Sequence, residues 1–236
     1  MNLNSVKLPL RRFLYSGSIA TSQAGQDFWV YAEAYNEKKR GFFLDIGAHD
    51  GLALNNTYIL ETRYQWTGIC IEANPLTFER LRKNRSSICL NVCLDRKDGE
   101  VDFVLRSVCG GIVDEDVDNN AEKASAREVI RMKTTTLDAV LKAQRAPEII
   151  DYLSIDVEGA EERILVDFDF SQYIFRCITI ERPSAKLRGV LEENGYYLMK
   201  EIPGLDCFYV HRDFLETYNR NLLLFYRKKH LSIRWH

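Results

Sequence analysis

The 236-residue chain has no CxxC pair, no GxGxxG turn, no apolar run of membrane-spanning length and no excess of charge of either sign. Each absence removes a class of protein. Without CxxC, the six cysteines (Cys70, Cys89, Cys93, Cys109, Cys177 and Cys207) do not spell a zinc site; several lie inside apolar runs such as GICIEA and RCITIE. They read as free thiols of a reducing compartment. A net charge of −2 offers no electrostatic footprint for nucleic acid. No segment approaches the ~20 apolar residues needed to span a bilayer. The amino terminus MNLNSVKLPLRRFLYSGS is basic but lacks the apolar centre of a secretory signal, so a cytoplasmic protein is expected. No repeat and no linker rich in Pro, Gly or Ser divides the chain, and 46% of its residues are hydrophobic, enough for one sizeable core. The expected organisation is a leader (1–21), one domain (22–212) and a basic, apolar carboxyl-terminal extension (213–236).

What is present is a rhythm. SQAGQDFWVYAEAYNEKK places Phe28, Val30, Tyr31 and Ala34 at helical spacing. GFFLDIG then reads as a buried strand, NNTYILETRYQ as a helix capped by Asn55 or Asn56, and GICIEA as a second strand. NPLTFERLRKNR opens with an Asn cap and a proline at the first helical position. SICLNVCL predicts a third strand, turning at DRKDG into a hairpin partner, EVDFVLR. The acidic stretch CGGIVDEDVDNNAEKASARE reads as a mobile surface loop. Beyond it come VIRMKTTTLDAVLKAQ (strand, then capped helix), IIDYLSIDVEG (strand and turn), AEERILVDF (helix), YIFRCITIE (strand), KLRGVLEENG (helix ending at Gly195) and a closing antiparallel pair, YYLMKEI and LDCFYVHR. Strands alternating with helices this often predict an α/β fold, an open and mainly parallel doubly wound sheet. Ligands in such sheets bind beyond the carboxyl ends of the strands, where the strand order reverses.

The residues at those ends are mostly acids: Asp45, Glu72, Asp156 to Gly159 and Glu181, with Cys93 on the third strand. A dinucleotide needs backbone N–H groups and little negative charge around its pyrophosphate. Here the turn is DxGxxxG, with Asp45 and Asp50 flanking Gly47 and Gly51. These acids repel a pyrophosphate and suit a nucleoside with a cationic tail, such as S-adenosylmethionine. Glu72 stands 21 positions beyond Gly51, where a carboxylate accepts both ribose hydroxyls.

FFLDIGAHDG, GICIEANP, YLSIDVEGAEERIL and ITIERP, in that order, resemble the FkbM family of S-adenosylmethionine-dependent methyltransferases, over roughly residues 22 to 211. The resemblance implies a class I methyltransferase (Rossmann-like) fold: a seven-stranded sheet with one antiparallel strand. It implies O-methylation of sugar, glycan or natural-product hydroxyls. It assigns Asp45, Gly47, Ala48 and Gly51 to the methionine portion of the cofactor, Glu72 to the ribose and the backbone near Cys93 to the adenine. His49, Asp50 and Ala73 stand in the same two cofactor segments. His49 and Asp50, and the Arg182–Pro183 pair after Glu181, depart from the commoner family pattern.

A hydroxyl is a poor nucleophile at neutral pH, so methyl transfer to it gains from a base. Glu158 and Asp156 share one turn. Glu158 is the expected base or hydroxyl orienter, with Asp156 nearer the cofactor and Glu181 shaping the acceptor pocket. Glu161 and Glu162 read as acids that favour the dipole of the following helix. Asp156, Glu158 and Glu181 are also a set of hard ligands suited to magnesium, and His49 is an alternative base. Trp66 and Tyr58 are candidates to stack on a sugar, or core residues. The tail NRNLLLFYRKKHLSIRWH, with Arg220, Arg227, Lys228, Lys229 and Arg234 and no acid, reads as packed on the body or as a homodimer contact, with a lipid-binding helix as the alternative. Two other functions compete with methyl transfer: a nicotinamide-dependent oxidoreductase, which the missing GxGxxG disfavours, and a non-catalytic binding module of the same fold.

Overall fold

The computed structural model describes residues 21–106, 110–119 and 129–233, the last six by backbone alone. The leader up to residue 20, Cys109, the centre of the acidic loop and the side chains of Lys228, Lys229 and Arg234 lie outside the described residues.

The chain opens with α1, a helical turn Gln26–Phe28 continuing as wider turns over Trp29–Ala34. It proceeds through β1 (Phe42–Ile46), α2 (Tyr58–Tyr64), β2 (Thr67–Ile71), α3 (Pro75–Asn84), β3 (Ile88–Leu90), β4 (Cys93–Leu94), β5 (Gly99–Val104), β6 (Gly111–Ile112) and β7 (Val129–Thr135). There follow α4 (Leu137–Ala143), β8 (Ile149–Ile155), α5 (Glu161–Leu165), β9 (Ile174–Glu181), α6 (Ala185–Glu193), β10 (Tyr196–Glu201), β11 (Asp206–His211) and α7 (Arg212–Ile233). The main sheet has the order β10-β11-β9-β8-β1-β2-β3. β11 runs antiparallel to both its neighbours, whereas β9, β8, β1, β2 and β3 pair in parallel. The seven-stranded sheet with one reversed strand is therefore present, and its order reverses between β1 and β8.

Alternation along each central strand explains the two layers. Leu44, Ile46, Ile69, Ile71, Leu153, Ile155, Ile178 and Ile180 face one side, where Leu141, Leu165, Leu187 and Leu191 of α4, α5 and α6 cover them. The residues between them, Phe43, Cys70, Tyr152 and Cys177, face the other side, covered by α1, α2, α3 and α7 through Trp29, Leu60, Leu81 and Phe214. Predicted caps are in place: Asn74 and Thr136 accept backbone N–H groups at the starts of α3 and α4. Asn55, rather than Asn56, serves α2, its Oδ1 accepting from Thr57 N and Tyr58 N.

The third strand differs from its prediction. SICLNVCL breaks into β3 and β4 at Asn91, whose side-chain amide donates to the carbonyls of Glu72 and Ala73. β4 leaves the main sheet for a second one of order β4-β7-β5-β6. The expected hairpin does not form: β7 enters between β4 and β5, so Thr134 pairs with both Cys93 and Gly99. Strand alternation specified that β5 would pair, and could not specify with what.

Candidate active site

Register brings the acids together. Ile46 lies opposite Ile71 on one side and Ile155 on the other, and Ile155 lies opposite Ile180. The next residue on each of these four parallel strands is therefore part of one row: Gly47, Glu72, Asp156 and Glu181. All four line a cavity of about 400 Å³ at the carboxyl edge of the sheet, spanning the reversal point.

Sterics fix the first position of the row. Gly47 has φ 82°, and a Cβ there would stand 1.8 Å from the carbonyl oxygen of Asp156. The N–H groups of Gly47 and Ala48 both reach the Ile71 carbonyl at 3.0 Å, which draws the turn tightly over β2. Asp45, just before this turn, lines the cavity with its carboxylate almost wholly enclosed. Its Oδ2 accepts from Thr57 Oγ1 at 2.6 Å and Asn55 Nδ2 at 2.9 Å, and lies 3.8 Å from the Arg85 guanidinium. Burial still pushes its pKa up, against the opposing pull of Arg85 and these hydrogen bonds. Arg85 also bonds Glu61 at 2.9 Å, so one buried cation ties α2 and α3 to the glycine turn.

Asp50 and Gly51 are not brought to the cavity. Asp50 Oδ1 caps the local turn, accepting from Leu52 N and Ala53 N. Gly51, at φ 77°, lets Arg85 and Leu81 pass where a Cβ would meet them at 2.7 Å. Both serve the turn and not the pocket wall.

Glu72 is held by its neighbours. Its Oε2 accepts from His49 N at 2.9 Å and its Oε1 from Asn74 N at 2.8 Å. Burial raises its pKa to about 7 despite these two bonds. Ala73 and Cys93 continue this wall, and burial pushes the Cys93 thiol up to about 12, which makes it an apolar surface and not a nucleophile. His49 has φ 51°; its Nδ1 is 3.6 Å from Asp50 Oδ1, and its Nε2 is buried without a hydrogen-bond partner among the described residues.

Across the reversal point the acids crowd. Burial, followed by the charges of Glu181, Asp206, Glu158 and Glu161, raises Asp156 to about 8. Burial and the Glu181 charge raise Glu158 to about 6, Arg182 partly opposing them. Glu158 sits at φ 56° and Arg182 at φ 39°, a costly conformation for residues with side chains, stored beside the cavity. Arg182 grips Glu181 through two bonds of 3.0 Å, reaches Asp118 at 2.5 Å and lies 3.9 Å from Glu158. Glu161, expected only to favour a helix dipole, is instead buried among these acids; its Oε1 accepts from Val157 N, and burial raises it to about 7. Oxygens of Asp156, Glu161 and Glu181 lie within 4.8 Å of one another, so Glu161 takes the place expected of Glu158 in that set.

The second sheet closes the cavity with Phe103, Gly111 and Ile112. Arg163 pins it: one guanidinium bonds Asp95 of the segment after β4 and both Asp114 and Asp116 after β6. The described half of the acidic loop is thus anchored from two sides, by Arg163 and Arg182. Asn56, which donates to Ser154 Oγ at 3.0 Å, and Gln23 also line the cavity and were not expected at the site from the sequence. Asn residues before a helix look like caps, which hid Asn56. Trp66 and Tyr58 do not line it: Trp66 packs on Gly41 and edge-on to Tyr35, and Tyr58 stacks beside Arg85.

Residues 45–198 match the FkbM methyltransferase domain. The chain belongs to the FkbM methyltransferase family. Among solved structures, it is similar to the methyltransferase FkbM of Methylobacillus flagellatus (13% identity, TM-score 0.46, covering 77% of this chain and 48% of that one). It is also similar to a TehB-like SAM-dependent methyltransferase of Corynebacterium glutamicum (10%, TM-score 0.43, 85% and 94%). A third is a precorrin-6y C5,15-methyltransferase of Geobacter metallireducens (12%, TM-score 0.43, 81% and 90%). No curated protein matches the chain. The FkbM match contains the whole acid row of the main sheet, from Asp45 through Glu181, and ends within β10. α1 and α7 lie outside it.

Proposed function

We propose that this FkbM protein transfers the methyl group of S-adenosylmethionine to a hydroxyl of a sugar, glycan or hydroxylated natural product, with Glu158 as the base. The observation that carries the reading is the row Gly47, Glu72, Asp156 and Glu181 along one cavity, an acidic edge with a glycine at its centre. Glu72 has both oxygens already oriented by N–H groups, and each keeps acceptor capacity for a ribose hydroxyl. Gly47 and Ala48 leave room for an amino-acid tail, and Ala73 and Cys93 give an adenine its apolar edge. A pyrophosphate would meet carboxylates throughout, which disfavours a nicotinamide cofactor. Bound there, the cofactor supplies a methyl group already activated on a sulfonium.

The protein's own part is alignment and proton removal. Glu158, at about 6, is mostly ionised at neutral pH and takes the hydroxyl proton; Asp156, at about 8, is mostly protonated and hydrogen-bonds the acceptor instead of deprotonating it. Glu181, fixed by Arg182, shapes the acceptor side. Free cysteines, four of the five described being buried, support a reducing and hence cytoplasmic setting. Among the described residues no helix is long and apolar enough to cross a membrane.

Calorimetry with S-adenosylmethionine, its demethylated product and NAD, followed by an acceptor screen with labelled methyl donor, tests the proposal. Glu158→Gln is expected to keep cofactor affinity and to lower turnover by ~10²–10⁴-fold; unchanged turnover refutes its role, and binding of NAD without binding of either sulfur nucleoside refutes the cofactor. A divalent cation at Asp156, Glu161 and Glu181 is the second reading, favoured by their mutual spacing. Turnover indifferent to chelation removes it.

A further inference from the structure

Helix α7 has two faces, and the fold uses one of them. Phe214, Tyr218, Leu222 and Phe225 pack against α1 and the sheet. At 100° per residue they occupy one side, and Arg220, Leu223, Leu224 and Arg227 fall within an arc of about 100° on the other. This outer arc is solvent-facing: Leu223 is 62% exposed and Leu224 38%, with Tyr226 on its flank at 48%. Two adjacent leucines between two arginines, over about 10 Å of helix, are not explained by any contact among the described residues. A basic carboxyl-terminal end complements the helix dipole, but the dipole gives no reason to expose leucine.

Charge is segregated along the chain as well. Its last 20 residues carry five Lys and Arg and no acid, while the whole chain is −2, so the first 216 residues carry −7. The acids of α7, Asp213 and Glu216, are confined to its first turns.

We propose that the outer face of α7 docks on an anionic lipid bilayer, Leu223, Leu224 and Tyr226 entering the headgroup boundary while Arg220 and Arg227 meet lipid phosphates. Apolar residues flanked by long cationic side chains match that boundary, where the aliphatic stems stay in the apolar layer and the guanidinium groups reach the charged one. An isologous pairing of two such faces centred on the leucines would set Arg220 of one copy against Arg227 of the other. A nucleic-acid backbone would satisfy the arginines and leave the leucines in water. Docking is independent of the methyl-transfer reading, because no described side chain of α7 lines the cavity.

Sedimentation of the full chain with vesicles tests this. Vesicles of phosphatidylcholine with about 30% phosphatidylserine are expected to pellet the protein, pure phosphatidylcholine is not, and 0.5 M salt should weaken the binding. Leu223→Glu/Leu224→Glu and, separately, Arg220→Glu/Arg227→Glu should each reduce vesicle affinity by about ten-fold or more with unchanged thermal melting. Failure to pellet, equal binding to neutral vesicles, or unchanged affinity in both variants overturns the proposal. So does dimerisation in lipid-free buffer that Leu223→Glu/Leu224→Glu abolishes, which would assign the face to a second copy.

Discussion

Replacing Asp156 by Asn should make the protein more stable at neutral pH, and the gain should shrink as the pH falls toward 4. The carboxyl of Asp156 moves from an ordinary 3.8 to about 8, chiefly through burial and then through the negative charges of Glu181, Asp206, Glu158 and Glu161. A carboxyl raised in this way binds its proton more tightly folded than unfolded. Its cost to stability is absent below about pH 4, grows as the pH climbs and is complete above about pH 8. Between pH 5 and pH 7 such a shift removes roughly 2–3 kcal/mol. Asn keeps the shape and cannot ionise. Melting temperature measured at constant ionic strength should therefore rise in Asp156→Asn relative to the unsubstituted chain, by roughly 5–10 °C more at pH 7 than at pH 5. Glu72, Glu158, Glu161 and Asp206 are raised as well, so both proteins should lose stability over this range; the difference between them isolates Asp156. A pH-independent difference, or a mutant less stable at pH 7, would refute the view that the acid edge is held together at an electrostatic cost.

Other outcomes follow from the same geometry. Glu72 titrates at about 7, so cofactor affinity measured by calorimetry should strengthen as the pH rises from 5 to 8, and Glu72→Gln should bind more weakly with a flat pH profile. Gly47→Ala combines φ 82° with a Cβ at 1.8 Å from a backbone oxygen, and should cost several times more in urea denaturation than Gly204→Ala, which has φ 76° and open space, at about 1–2 kcal/mol. Arg85→Met leaves Asp45 and Glu61 buried without their cation and should lower stability by about 3–5 kcal/mol in the same assay; a loss under 1 kcal/mol would show that Asn55 and Thr57 suffice to hold the turn.

Local chemistry made much of this protein legible before folding. Alternating Leu44, Ile46, Ile69, Ile71, Leu153 and Ile155 predicted buried parallel strands, and the caps at Asn74, Thr136 and Gly195 marked helix ends because each acts within a few residues of itself. The acids at strand ends were visible for the same reason: a parallel strand that stops before a turn puts its last residues at the carboxyl edge, wherever that strand lies in the sheet.

Pairing between distant segments was not visible. Nothing local in SICLNVCL says that Asn91 donates to the carbonyls after β2, or that β7, some 35 residues later, takes the place expected of β5. Glu161 looked like a helix acid, and only the docking of α5 beneath the sheet edge buries it among Asp156 and Glu181. Gly51, Tyr58 and Trp66 were drawn away from the cavity by partners their neighbours in sequence do not reveal. The sequence by itself determined which residues sit at strand ends, since that depends on short-range periodicity and turns. Tertiary structure alone decided which of them share a cavity and at what proton affinity, because register, burial and the charge of remote neighbours are properties of the assembled sheet.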